Sequence, residues 1–204
     1  MLYPPSNLYI GMQDWKIEYF DRNYEDYDQW YDEHPKEFSD QVEFISSILP
    51  HGRGVEIGVG TGRFASKLGV EVGIDLSENM VKLASERGVH AILANAEHLP
   101  FDDNEFDYSL NMVTICFLSN PLKTLIEAKR VSRIVVTVIL DRDSEYISNI
   151  MKERRGFYKF AKFYTRDELV ELYKSAGISV IKVKEKVLRT MDDIEYKLVA
   201  VTGQ

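Results

Sequence analysis

The sequence predicts an α/β fold, a mostly parallel sheet covered on both faces by helices, and three observations predict it. Short apolar runs alternate with stretches whose apolar residues recur every three or four positions, from residue 54 onward. The first strand-like run opens into a loop with glycine at every second position, Gly58, Gly60 and Gly62. The chain has 204 residues, 45% hydrophobic and 28% charged, which suits one good core and is short for two, so one domain spans 1–204.

After the polar, proline-containing start MLYPPSNLYI, residues 14–31 space Phe20, Tyr24, Tyr27 and Tyr31 as one face of a helix. A second helix follows Pro35, carries Phe38, Val42, Ile45 and Leu49, and stops at Pro50-His51-Gly52. Residues 12–49 thus read as an N-terminal helical unit. From there strand and helix alternate: a strand at 54–58, a helix from 62, a strand at 70–75, a helix from Ser77 to Arg87, and a strand at 89–94. FDYSLNM is a fourth strand, and SNPLKTLIEAKRV a helix capped by Ser119 or Asn120 with Pro121 in its first turn. RIVVTVIL, the most β-branched run, reads as an interior strand and closes a core over 53–140. Residues 141–164 form an insertion. Thr165 then starts a helix through a capping box to Glu168, with Gly177 as its stop. Two late strands, ISVIKVKEKVL and IEYKLVAV, meet at a turn around Met191-Asp192-Asp193.

Bulk chemistry excludes several classes. The longest apolar runs, such as Ile134 to Leu140, are far too short to span a bilayer, and the start lacks a leader pattern, so no membrane role and a cytoplasmic location are expected. The lone Cys116 has no internal disulfide partner and suits a reducing compartment. A formal charge of −8 opposes binding to phosphate backbones, so nucleic acid is not an expected partner and a small molecule is. His34, His51, His90 and His98 show no metal-ligand spacing, and no metal is expected.

The glycine loop lies where a parallel sheet binds ligands, beyond the carboxyl end of its first strand. Glycines there let a ligand approach the main chain, though a plain strand-to-helix turn uses them too. Because Arg63 follows Gly62, the spacing is Glu-x-Gly-x-Gly-x-Gly and departs from the dinucleotide fingerprint. That disfavours pyrophosphate and a nicotinamide-dependent oxidoreductase. Asp75 ends the second strand, where a carboxylate accepts hydrogen bonds from ribose hydroxyls; the alternative is a helix-start acid, a role Ser77 fills by itself.

VEIGVGTGRF, VGIDLSENM, ANAEHLPFDDNEFDYSL and SNPLKTLIEAKRV, in that order, resemble the class I S-adenosylmethionine-dependent methyltransferases. The closer likeness is to the methyltransferase type 11 group, relatives of the ubiquinone and menaquinone biosynthesis methyltransferases, over roughly residues 15–200. The resemblance implies a Rossmann-like three-layer αβα sandwich, its seven-stranded mostly parallel sheet ending in an antiparallel last strand, with N-terminal lid helices. It implies S-adenosyl-L-methionine as cofactor and methyl transfer to a small-molecule acceptor. Gly58, Gly60 and Gly62 would face its methionine part, and Glu56 would hold the loop and the amino-acid end. Asp75 matches the ribose acid, with Leu76 beside the adenine. Asn95, Ala96 and Glu97 match the adenine-reading segment, although the family commonly has aspartate where Asn95 stands. Asn111 and Met112 end the strand whose backbone faces the reacting methyl. A second departure is Arg130-Val131-Ser132-Arg133, where the family usually has a Lys-Pro-Gly-Gly turn.

Transfer from a sulfonium needs alignment and dryness more than acid–base groups, so no catalytic side chain is assigned. His98 reads as a structural or surface histidine, with a base as the alternative. Tyr19, Tyr24, Tyr27 and Trp30 are candidates for a lid that turns rings toward the sulfonium, or they pack on the sheet edge. KERRGFYKFAKFY gathers Lys152, Arg154, Arg155, Lys159 and Lys162, which read as a solvated helix face, the alternative being a site for an anionic acceptor. A protein that holds the cofactor without transferring its methyl is the non-enzymatic alternative, and the oligomeric state is not legible.

Overall fold

The parallel strands are largely buried on both faces, except at the sheet edge, where residues 90–93 stay half-exposed. In the computed structural model, which describes residues 14–204 apart from Arg154 and Arg155, these are β1 (Gly54–Ile57), β2 (Val72–Asp75), β3 (His90–Leu93), β4 (Phe106–Met112) and β5 (Ser132–Leu140). The start MLYPPSNLYI and the two arginines of the basic segment lie outside the described residues. With β6 (Val180–Arg189) and β7 (Glu195–Gly203) they form one seven-stranded sheet in the order β3-β2-β1-β4-β5-β7-β6. β7 runs antiparallel to both neighbours, and every other pairing is parallel. The chain steps one way from β1 to β2 and the other way to β4. The carboxyl ends of β1 and β4 therefore bound the crevice where such sheets bind ligands.

Helices α4 (Arg63–Leu68), α5 (Glu78–Glu86), α6 (Pro121–Val131) and α8 (Arg166–Ser175) cover the sheet. Asn120, rather than Ser119, caps α6 by accepting the Lys123 N–H. Thr165 and Glu168 form the expected capping box of α8. Where the Lys-Pro-Gly-Gly turn would stand, α6 ends at Val131 and β5 begins at Ser132 without a loop. Ser132 makes this junction possible: its hydroxyl donates to the Ala128 carbonyl at 2.7 Å and meets Ser109 Oγ at 3.0 Å.

The expected single helix over 14–31 is two, α1 (Asp14–Arg22) and α2 (Tyr24–Glu33). They break at Asn23, whose side-chain amide donates to the Tyr19 carbonyl at 2.7 Å and competes with regular turns. α3 (Pro35–Ser46) follows and seats on the β6–β7 hairpin. There Glu37 Oε1 accepts the Met191 N–H at 2.7 Å, Gln41 Nε2 donates to the Tyr196 hydroxyl at 3.3 Å, and Lys186 pairs with Glu43 at 2.9 Å. The insertion at 141–164 holds a further helix, α7 (Glu145–Glu153), and a 3-10 turn over Gly156–Phe160.

Candidate functional site

The glycine loop is tied to the sheet before any ligand is considered. The N–H groups of Gly58 and Val59 both donate to the Ile74 carbonyl at 2.8 Å, and Gly60 N–H donates to Asp75 Oδ2 at 2.9 Å. Asp75 Oδ1 accepts the Ser77 N–H at 3.0 Å. The carboxylate thus organises two backbone turns and keeps lone pairs on both oxygens for further donors. Burial raises its pKa, while the N–H groups of Ser77, Gly60 and Leu76 pull the other way.

Two of the glycines serve different ends. Gly60 has φ +52°, and a Cβ built there would stand 3.5 Å from the Tyr27 ring, at the wall of the cavity. Gly62, at φ +78°, would drive a Cβ to within 2.8 Å of the Ala84 backbone, so its bareness serves helix packing.

A cavity of about 300 Å³ opens over this loop. Gly58, Gly60, Asp75 and Leu76 line one side with Ala96 and Met112. Glu56 is 2% exposed, lies within β1 and does not line the cavity; its Oε2 has no partner, and burial pushes its pKa up to about 8 against a hydrogen bond from the Ala65 backbone. Asn95 Oδ1 is turned back to accept the Glu97 N–H at 2.8 Å, and neither residue lines the cavity. The Asn111 side chain is fully buried and does not line the cavity, and its Oδ1 and Nδ2 have no hydrogen-bond partner.

The opposite wall is aromatic. Phe20, Tyr27 and Trp30 come from the N-terminal helices, Phe117 from the turn after β4, and Phe157 and Tyr158 from the 3-10 turn of the insertion. Phe20 stacks on Phe157 at 5.1 Å and meets Phe117 edge-on at 5.2 Å. The Tyr27 hydroxyl lies 2.8 Å from that of Tyr31, and burial pushes the Tyr27 pKa up to about 12, so this phenol stays protonated. Tyr19 packs on Phe157 and Phe160 outside the cavity, and Tyr24 turns to Glu25 at the surface. Of the four lid candidates, Tyr27 and Trp30 reach the cavity.

Sequence reasoning missed Phe117, Phe157 and Tyr158, which lie in turns without periodicity. It also missed Val113, a β-branched residue at φ +60° in the cavity wall, the kind of local strain that marks functional turns. Of the basic segment, the described residues Lys152, Lys159 and Lys162 are all exposed, Lys159 lying 4.0 Å above the outer Tyr19 ring. His98 meets Lys123 at 2.5 Å on the surface, away from the cavity. Among the described residues no histidine lines the cavity and no acidic, cysteine or histidine cluster suits a metal.

Known proteins resemble this chain in sequence and in fold. A methyltransferase-domain family model, type 11, matches residues 55–138. An uncharacterized protein of Methanocaldococcus jannaschii is 38% identical over 182 residues, covering 86% of this chain and 88% of that one. A crystal structure from Thermotoga maritima, described as an S-adenosylmethionine-dependent methyltransferase and possible histamine N-methyltransferase, superposes with a TM-score of 0.85 at 33% identity. It covers 93% of this chain and 99% of that one. The demethylmenaquinone methyltransferase of Staphylococcus carnosus is 30% identical over 149 residues, 57% of this chain and 60% of that one. The seven-stranded sheet with its antiparallel last strand is shared with the Thermotoga fold, and the chain belongs to the class I S-adenosylmethionine-dependent methyltransferases, type 11 group, with S-adenosylmethionine as its cofactor.

Proposed function

We propose that the chain transfers a methyl group from S-adenosylmethionine to a small, flat, largely apolar acceptor. The observation that carries this reading is the single cavity that joins Asp75 and the glycine loop to the aromatic wall. Asp75, with a free lone pair on each oxygen, suits two ribose hydroxyls, and Leu76 and Ala96 offer apolar surface to the adenine. Glu56 lies outside the cavity lining, and its unpaired buried Oε2 is what supports a pairing with the ammonium of the cofactor's amino-acid end; Gly60 leaves its main chain bare at the cavity wall.

When bound, the cofactor supplies an activated methyl on a sulfonium, ready for in-line displacement. The residues of the chain align and dry the site. Phe20, Tyr27, Phe117 and Phe157 exclude water and present ring faces that attract positive charge. Holding two reactants in line contributes roughly 7–11 kcal/mol without any acid or base. No histidine lines the cavity among the described residues, Tyr27 holds its proton, and the lining carboxylate of Asp26 is exposed to solvent, so in this reading the acceptor brings its own unprotonated nucleophile. A ring nitrogen or a neutral amine meets that requirement, in keeping with the description of the Thermotoga relative.

The test has two stages. S-adenosylhomocysteine should raise the melting temperature, since a ligand of the folded state stabilises it by mass action. A panel of flat amines, phenols and anionic acceptors is then assayed for S-adenosylhomocysteine formation, with turnover expected among the amines. Turnover confined to anionic acceptors, or to none while the cofactor binds, refutes this assignment of the acceptor.

A further inference from the structure

The N-terminal helices carry a repeated pair, a ring followed directly by an aspartate: Phe20-Asp21, Tyr27-Asp28 and Tyr31-Asp32. All three rings line the cavity, and all three carboxylates grip groups on the body of the domain. Asp21 Oδ1 accepts the Ser77 hydroxyl at 2.6 Å and the Asn79 N–H at 3.0 Å, and Asn79 Nδ2 donates to the Asp21 carbonyl at 3.0 Å. Those groups form the first turn of α5, directly after Asp75 and Leu76.

Asp28 accepts Arg63 Nε at 3.0 Å and Arg63 Nη2 at 2.7 Å, and Arg87 Nη2 at 2.6 Å. Arg87 Nη1 in turn donates at 2.6 Å to the carbonyl of Thr61, which stands between Gly60 and Gly62. Asp32 completes the grip on Arg63 with contacts of 2.6 and 2.7 Å from a position 66% exposed, whereas the Asp28 and Arg63 side chains are only 13% and 16% exposed. Helix α1 is therefore fastened by Asp21 to the backbone after Asp75, and helix α2 by Asp28 and Asp32 to Arg63 and, through Arg87, to the backbone of the glycine loop.

Apolar packing alone would hold these helices without fixing their rotation. A bidentate arginine–carboxylate pair fixes direction, and a buried ion pair adds little net stability while tolerating few alternative arrangements. We propose that Asp21 and Asp28 are positioning residues that turn Phe20 and Tyr27 onto the acceptor, and that their grip couples closure of the N-terminal helices to occupancy of the glycine loop. This rests on the reading of the cavity as the cofactor and acceptor site. Coupling is reciprocal: a loop ordered by cofactor holds the helices, and helices held in place favour cofactor.

The test follows amide hydrogen exchange in residues 14–33 and in the sheet, with and without S-adenosylhomocysteine, in wild type, Asp28→Asn and Asp21→Asn. In wild type the ligand should slow exchange of 14–33 at least tenfold. In each variant exchange of 14–33 should rise about tenfold without ligand, the sheet should keep its wild-type protection, and the Kd for S-adenosylhomocysteine should rise threefold to tenfold. Exchange that quickens equally across the sheet and the helices in both variants indicates a merely structural role and overturns the proposal, as does a lid that loosens with no change in Kd. If wild type itself does not bind S-adenosylhomocysteine, the reading of the cavity fails; if it binds and the variants behave as wild type, only the coupling fails.

Discussion

Asp75 and Gly60, fifteen residues apart, are joined by a 2.9 Å hydrogen bond from the Gly60 N–H to Asp75 Oδ2. The carboxylate that suits the ribose therefore also fixes the glycine loop. Asp75→Ala removes both services, and we expect the Kd for S-adenosylhomocysteine to rise tenfold to a hundredfold, corresponding to charge-assisted hydrogen bonds of about 1.5–3 kcal/mol. Titration calorimetry measures it. An unaltered Kd would mean that this carboxylate serves the loop alone.

Gly60 and Gly62 should separate under substitution. Gly62→Ala forces a Cβ to 2.8 Å from the Ala84 backbone at a positive φ, so the melting temperature should fall markedly. Gly60→Ala meets only the Tyr27 ring at 3.5 Å, so its stability loss is limited to left-handed strain of about 1 kcal/mol, and cofactor affinity suffers more. Thermal melts paired with calorimetry read the two effects; equal losses of stability would contradict the assigned roles.

Glu56 gives a pH dependence of definite sign. Burial raises its pKa in the fold from 4.5 to about 8. The fold favours the protonated carboxyl, so this contribution to stability is complete below pH 4.5 and fades as pH climbs through about 8. Pairing with the ammonium of the cofactor requires the carboxylate, so affinity runs the opposite way. It should strengthen by up to about tenfold per pH unit from mildly acidic conditions and level off near the folded-state pKa. Glu56→Gln should flatten that profile, and a flat wild-type profile would rule the pairing out.

Cys116 is 1% exposed, and burial pushes its thiol pKa up to about 12. The folded protein should resist iodoacetamide near neutral pH and react only when it unfolds, because the thiolate is the reactive form. Mass spectrometry of pulse-labelled protein checks this. Rapid labelling without denaturant would show that the turn after β4 opens on its own.

Much of the fold was legible because local rules and tertiary structure agree. The Thr165–Glu168 capping box, Pro121 at the start of α6 and the β-branched run of β5 each specify their element from a few neighbouring residues. The glycine loop and Asp75 were legible for the same reason: they are compact and sit at strand ends. The aromatic wall was half legible. The spacing of Phe20, Tyr27 and Tyr31 marks a face, but Phe157 and Tyr158 sit in a short turn without periodicity. The helix break at Asn23 depends on a side-chain amide taking a backbone carbonyl, which a spacing argument ignores. Asp21 and Asp28 carry no local signal, because their partners lie 35 to 59 residues away, beyond the reach of any local pattern.

The seat of α3 on the β6–β7 hairpin has a consequence for biosynthesis. Glu37 leaves the ribosome 154 residues before Met191, and Gln41 155 residues before Tyr196, the partners they meet in the folded domain. During translation the amphipathic N-terminal segment must wait, its apolar stripe unsheltered, until the hairpin emerges. A nascent chain stalled before residue 190 should expose that stripe to chaperones and proteases, and the finished polypeptide should withdraw it.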